Sequence, residues 1–301
     1  MALKQVKNKI QSTKKTGQVT KAMESVSAVK MRKSQERAFA SRPYVHAAMR
    51  ILMQIAASPE GLGHPLAQPN ETTDRKLLIV VTSDKGLAGS VNSAVLKKVE
   101  EQFAEGYETD TICVGRKAVD FVNREGKIVL SDYTNLGDDV TLEDVLDIAK
   151  RVVAAYQAGT YATVEVVYQN FLSTFEQMPT KRQLLPIDPN EIHYVLRGIK
   201  PKTGKFSEET LEPDTKLTYT IEPNTNEVLD ALIPQLVQIL VFHALLETKA
   251  SEHSARMVAM KNATDKSKEV VKALTIEYNK ARQAAITAEV SEITAGVEAM
   301  K

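Results

Sequence analysis

Tryptophan is absent from the 301-residue sequence, and aromatic residues make up only 5% of it. So little aromatic content argues against one large globular core. With Ala, Lys and Glu abundant, it leans toward long helices. Cysteine occurs once, at Cys113, which excludes an internal disulfide and fits a reducing compartment. Cys113 sits in TDTICVG, read as a buried strand, where an inert core thiol is expected. The opening MALKQVKNKI lacks the apolar stretch of a secretory signal, and no transit peptide is recognised. The longest apolar run, ALIPQLVQILVFHALL, contains Pro234, two glutamines and His243. It reads as too short and too polar to cross a bilayer. None of the five histidines (His46, His64, His193, His243, His253) pair at i, i+4, and no cysteine joins them, so a zinc site is not expected. No Ser-His-Asp set and no carboxylate pair is legible, so no catalytic residue, cofactor or metal is assigned.

Acidic residues are scarce at the N-terminus. The first fifty residues carry twelve Lys or Arg against Glu24 and Glu36 alone, although the whole chain has a net charge of only +1. A basic helix of this kind suits an acidic partner, nucleic acid or protein, and is equally read as a solvated basic face. Few aromatics and the near-neutral total count against nucleic acid.

Glycine and proline are equally scarce at both ends. Residues 1–57 hold one of each, and their composition is that of a helix. Leu3, Val6, Ile10 and Thr13 step by three and four. The step is disturbed around Gly17 and resumes at Ala22 and Val26, and a broader apolar stripe follows at Tyr44, Ala48, Ile51 and Ile55. Residues 58–75, with three prolines and two glycines, read as a linker or loop.

Residues 76–224 alternate apolar strands with amphipathic helices: KLLIVVTS, VNSAVLKKVEEQF, TDTICVG, RKAVDFVNREG, KIVLSD, then a helix that Thr141 can cap. A hairpin of ATVEVVYQNF and QMPTKRQLLPI follows, and KLTYTIEP reads as an added edge strand. Such alternation predicts a mostly parallel, Rossmann-like α/β domain. Over residues 225–301 a step of three and four is kept from Leu229 to Ala288. Its occupants begin large (Leu232, Leu236, Ile239), become mixed (His243, His253, Met257, Thr264, Ser267) and end small (Ala281, Ala285). A seam of about eight heptads predicts a coiled coil made by the two chain termini, with helices about 105 and 85 Å long.

TSDKGLAGSVN follows a strand and precedes a helix, which raises a nucleotide-dependent α/β enzyme as an alternative function. It lacks the Lys-Ser/Thr ending of a phosphate loop and the spacing of a dinucleotide turn. Gly86 and Gly89 are therefore read as serving backbone geometry.

Four stretches resemble the gamma subunit of F-type ATP synthases. They are TKAMESVSAVKMRKSQERAFASRPY, TSDKGLAGSVN, ASEHSARMVAMKNATD and YNKARQAAITAEVSEI. The resemblance implies an antiparallel two-helix shaft inside a ring of alternating alpha and beta subunits. It places the α/β domain outside the ring, near the epsilon subunit and the membrane-embedded c-ring. ATP is then made or hydrolysed on the ring, and this chain is a non-catalytic rotor that uses no cofactor. By the same resemblance Arg282, Gln283 and Thr287 match positions that hydrogen-bond a loop of one beta subunit. Met23, Lys30, Arg32 and Lys33 match a region that meets an acidic lever loop of beta. The expected location is the cytoplasmic face of a bacterial membrane, held peripherally, with no direct membrane insertion and no nucleic acid.

Overall fold

The computed structural model describes residues 3–56, 64–187 and 224–300, with the side chains of the first helix described through Arg37. The stripe from Tyr44 to Ile55 and the strand expected at KLTYTIEP lie outside the described residues. In chain order the elements are α1 (Leu3–Ala56), β1 (Lys76–Val81), α2 (Val91–Ala104), β2 (Thr109–Val114), α3 (Arg116–Arg124), β3 (Ile128–Tyr133), α4 (Leu146–Gln157), β4 (Thr163–Phe171), β5 (Gln177–Leu185) and α5 (Thr225–Ala299). They form two compact units. One is Met1–Ser27 with Arg256–Lys301, the other Ala28–Ala255.

The larger unit is built on a sheet of order β3-β2-β1-β4-β5. β1 pairs in parallel with β2 and β4, β2 with β3, and β5 returns antiparallel to β4. The continuous apolar runs of β1 and β2 reflect a sheet covered on both faces. Alternate residues go to opposite layers. Leu77, Ile79 and Val81 face a core shared with Val152 of α4 and with Leu236, Val237 and Leu245 of α5. Leu78, Val80 and Cys113 face Val95 and Val99 of α2 and Phe121 of α3. Each such side chain withdrawn from water contributes about 1.5–3 kcal/mol. Burial pushes the Cys113 thiol up to about 11, so it is an inert core residue.

One expectation needs correction here. The apolar stretch of α5 is in fact long and apolar enough, by composition, to cross a membrane. Its Leu229, Ile233, Leu236, Val237, Val241 and Leu245 are instead buried against the sheet, which makes it a core helix. The stretch read as a linker or loop is, from His64 onward, a loop anchored on the α/β unit. Leu66 is fully buried, and its carbonyl accepts the Ile187 N–H at 3.0 Å. Asn70 donates to the carbonyls of Gly159 and Tyr161. Thr141 caps as expected, with a short 3-10 turn (Glu143–Val145) leading into α4. Its N–H and hydroxyl donate to the Asp144 carboxylate at 2.7 and 2.8 Å, and the Asp144 N–H returns to the Thr141 hydroxyl at 3.4 Å. That reciprocal arrangement is a capping box closed over one turn.

α5 also completes the sheet. β1 pairs with β4 only as far as Val80 and Val167. Two residues on, the Gln169 N–H donates to the Thr248 hydroxyl and the Gln169 carbonyl accepts from Ser251, both at 3.3 Å. Small hydroxyl residues allow α5 to lie close to the backbone and satisfy groups that β1 leaves unpaired.

In the smaller unit the α1 seam runs through Leu3, Val6, Ile10, Thr13, Gly17, Thr20 and Ser27, all buried or half-buried. The seam thus continues past Gly17, whereas Ala22 and Val26 are exposed, contrary to the sequence expectation. The reason is chemical. Thr20 and Thr264 share a hydroxyl–hydroxyl bond of 2.7 Å, and a Cβ at Gly17 would meet the Ser267 Cβ at 3.2 Å. Apolar periodicity cannot register a seam made of Gly, Thr and Ser. The pairs 20 with 264 and 17 with 267 run in opposite directions along the two segments. On α5 the matching seam is Met260, Thr264, Ser267, Val271, Leu274, Tyr278, Ala281 and Ala285; every later described residue, Ala288 included, is exposed.

Gly17 therefore holds the two segments close. Gly17→Ala gains about 1 kcal/mol of helix propensity against a slight overlap and is expected to leave the thermal midpoint nearly unchanged. Gly17→Leu is expected to force the segments apart and cost about 1–3 kcal/mol. Denaturant unfolding of both variants, with hydrogen exchange across residues 10–24, measures the difference.

Candidate functional site

At the far end of α5 the seam gives way to a free surface. Arg282, Gln283 and Thr287 are all exposed. The Thr287 hydroxyl donates to the Gln283 carbonyl at 2.9 Å, the bond expected of a helical threonine, so toward an outside group it presents an acceptor only. Gln283 and Thr287 lie one turn apart, with Arg282 beside them, and the Arg282 fork is suited to a carboxylate.

The sequence reading missed a second feature of this tip. Ile286, Val290, Ile293, Val297 and Met300 step by four and three and are all exposed, Ile293 at 68% and Met300 at 89%. Their spacing was visible in the sequence, but the seam was followed through Ala281, Ala285 and Ala288 instead. A stripe of large apolar side chains with no partner among the described residues marks a surface made to be covered.

The four α1 positions expected to form one contact face divide. Met23 belongs to the smaller unit and is half-buried there. In the larger unit Arg32 and Lys33 are exposed, and Arg32 pairs with Glu36 along the helix at 3.1 Å. Lys30 is engaged within the chain: its ammonium donates to the Asp138 carboxylate at 2.6 Å. Nothing in the amino-acid pattern near Lys30 pointed to an acceptor so distant in sequence.

The loop after β1 is held by its own polar groups. Ser83 N–H donates to the Asn92 side chain at 3.0 Å, and the Asn92 amide returns to the Ser83 hydroxyl at 2.7 Å. That pair sits at the mouth of α2, where an α/β fold would place a phosphate. The start of the neighbouring α3 has partners for its backbone. Its Arg116 N–H meets the Asp84 carboxylate at 3.0 Å and its Ala118 N–H meets the Thr82 hydroxyl at 2.9 Å. A carboxylate at that helix start repels a phosphate, which counts against the nucleotide-enzyme alternative.

The two glycines of this loop differ. Gly89 has φ +60, a conformation that opposes side chains, although open space surrounds it. Gly86 has no positive φ, and a Cβ added to it would meet no atom within 4 Å, so neither its conformation nor its surroundings require glycine. The positive φ falls instead on Leu87, at 61°. The demanding glycine is Gly115, which sequence reading passed over. Its φ is +89, and a Cβ there would lie 2.3 Å from the Thr82 carbonyl oxygen.

The sequence matches the ATP synthase family over residues 2–300. It is 38% identical to the ATP synthase gamma chain of Heliobacterium modesticaldum over 298 residues, 99% of each chain. Identity to the gamma chain of Herpetosiphon aurantiacus is 39% over 308 residues, 99% of this chain and 98% of that one. The chain belongs to the ATP synthase gamma-chain family. Solved structures agree on the fold. The central stalk and c-ring of the Tetrahymena thermophila mitochondrial ATP synthase contains a chain of TM-score 0.59 and 24% identity, covering 81% of this chain and 99% of that one. A chain in the OSCP, F1 and c-ring structure of the Euglena gracilis mitochondrial enzyme reaches TM-score 0.67 at 18% identity, covering 99% and 94%. The long helices at both termini and the sheet between them are thus the family's architecture.

Substitution separates the three glycines. Gly115→Ala is expected to cost about 3 kcal/mol or more, combining positive φ with overlap on backbone. Gly89→Val is expected to cost about 1–2 kcal/mol through φ alone, and Gly86→Ala to be nearly neutral. Urea unfolding midpoints of the three variants provide the ranking; a Gly86 variant as damaged as Gly115→Ala would contradict it.

Proposed function

We propose that the chain is the central rotor shaft of an F-type ATP synthase. It couples ion-driven rotation of a c-ring to ATP synthesis or hydrolysis at a ring of alpha and beta subunits. The observation that carries this reading is the end of α5. Past Ala285 every described residue is exposed, and Arg282 and Gln283 stand beside an apolar stripe, which suits a tip enclosed by other chains. The catalysis resides on the ring and the gamma chain is not itself an enzyme.

On this reading the paired segments of α1 and α5 are a coiled coil, with residues 1–57 and 225–301 as its two arms and 76–224 as an inserted domain facing the epsilon subunit and the c-ring. Exposed Arg32 and Lys33 are suited to the acidic lever of beta, with Met23 supporting it from the seam and Lys30 serving it only indirectly. Salt screens such contacts and each is modest, so force passes mainly by shape and stiffness. The complex lies on the cytoplasmic face of a bacterial membrane, held there through its partners. Affinity purification of the tagged chain from its host is expected to yield alpha, beta and epsilon in fixed ratio. Recovery of the chain alone would overturn the assignment.

The tip contacts set the order in which catalytic sites fire. A charge-assisted hydrogen bond in a partly dry sleeve is worth about 1.5–3 kcal/mol. Arg282→Ala with Gln283→Ala is therefore expected to slow steady-state ATPase of the reconstituted complex at least about threefold, with subunit ratios unchanged. Turnover equal to the parent complex would refute the role, and lost assembly would reassign these residues to structure.

A further inference from the structure

The loop after β3 carries an arrangement that none of the motifs foreshadowed. One carboxylate there is shared by two helices. Asp138 Oδ2 accepts the Lys30 ammonium of α1 at 2.6 Å, and Asp138 Oδ1 accepts His253 Nε2–H of α5 at 2.9 Å. Each helix adds a second contact to the same loop. Arg37, two turns beyond Lys30, donates to the Asp138 carbonyl at 3.4 Å and pairs with the Asp139 carboxylate. Lys249, one turn before His253, donates to the Leu136 carbonyl at 3.0 Å.

We propose that Asp138 is the joint that makes α1 and α5 one torsional body where they meet the α/β unit, and is thereby a positioning residue for rotary coupling. This rests on the rotor reading above. A carboxylate has two oxygens, and here each is assigned to a different helix. Any twist or slide of one helix against the other withdraws a donor from the shared group. Residues 136–139 are themselves the exit from β3, so the load passes from the sheet into both helices at once. Apolar packing has no preferred direction of its own, whereas each of these hydrogen bonds fixes one.

Electrostatics support the geometry. Burial works to raise the Asp138 carboxyl, but the Lys30 hydrogen bond, together with the charge and hydrogen bond of His253, outweighs it and brings the group down to about 2. The carboxylate therefore stays ionised at any working pH. Exposed ion pairs contribute little, and the Lys30 arm alone, at 43% side-chain exposure, would be one of those. The His253 arm differs, since that side chain is 4% exposed. Buried groups are screened far less by salt.

The test uses membrane vesicles carrying the whole complex, with ATP hydrolysis and ATP-driven ion uptake measured on the same preparation. Asp138→Asn and Asp138→Ala are expected to lower ions moved per ATP hydrolysed at least about twofold, with subunit ratios intact. His253→Leu is expected to act in the same direction, and His253→Gln, which keeps a donor, to restore the ratio. Combining Asp138→Asn with His253→Leu is expected to be no worse than either alone, because both break one joint. An unchanged ratio in assembled Asp138 variants, or additive losses in the double variant, overturns the proposal. If the Asp138 variants fail to assemble, Lys249→Met decides, since it loosens the same loop from a half-buried position: a lowered ratio supports the joint and an unchanged one overturns it. Parent vesicles in which this chain is not needed for ATP-driven uptake would overturn the rotor reading, and the joint with it.

Discussion

One unbroken helix has to satisfy two different surroundings. In α5 the first half lies in a core, with Leu229, Leu236 and Leu245 removed from water on the sheet. The second half keeps only a narrow seam, from Met260 to Ala285, and then none. A helix of 75 residues cannot change its backbone geometry between these regions, so side-chain size makes the change. Large aliphatics serve where a sheet is broad. Small hydroxyl residues serve where the backbone of β4 must be approached. Gly, Thr, Ser and Ala serve where two helices run close. Pro234 lies inside the helix, beyond its first turn.

The layers of the α/β unit were legible in the sequence because buried parallel strands leave continuous apolar runs, and β1 and β2 are such runs. The later α5 seam was legible as well, since its residues, large or small, kept the step of three and four. What escaped has a common cause. The α1 seam uses Gly17, Thr20 and Ser27, residues that hydropathy counts as polar. The Ile286–Met300 stripe was overlooked because it is offset by one position from the seam being followed. Gly115 and Asp138 depend on contacts with Thr82, Lys30 and His253, and spacing along the chain carries no record of these. The anchoring of the loop from His64 to Asn70 escaped because prolines and glycines mark a turn whether or not it is packed.

The candidate site itself was only partly readable. Arg282, Gln283 and Thr287 came from resemblance, and their exposed positions give them room to act. Lys30 came from the same source, and its ammonium is engaged with Asp138 within the chain. A phosphate-like loop after β1 looked ambiguous as a string of letters. In three dimensions Ser83 and Asn92 bond one another and Asp84 already occupies the start of α3. The start of α2 carries no side-chain cap, whereas that of α3 is closed by Asp84 and Thr82.

Burial of Cys113 has a practical consequence. Its thiol lies between sheet and helices and is held as the neutral form, so maleimides and other thiolate-seeking reagents have no ready target in the native chain. No cysteine need be removed before one is introduced. A single new thiol on an exposed face of α5 or α2 becomes a unique handle for a fluorophore, a bead or a gold particle. The chain is by nature a scaffold on which angular position can be written optically, one label at a time.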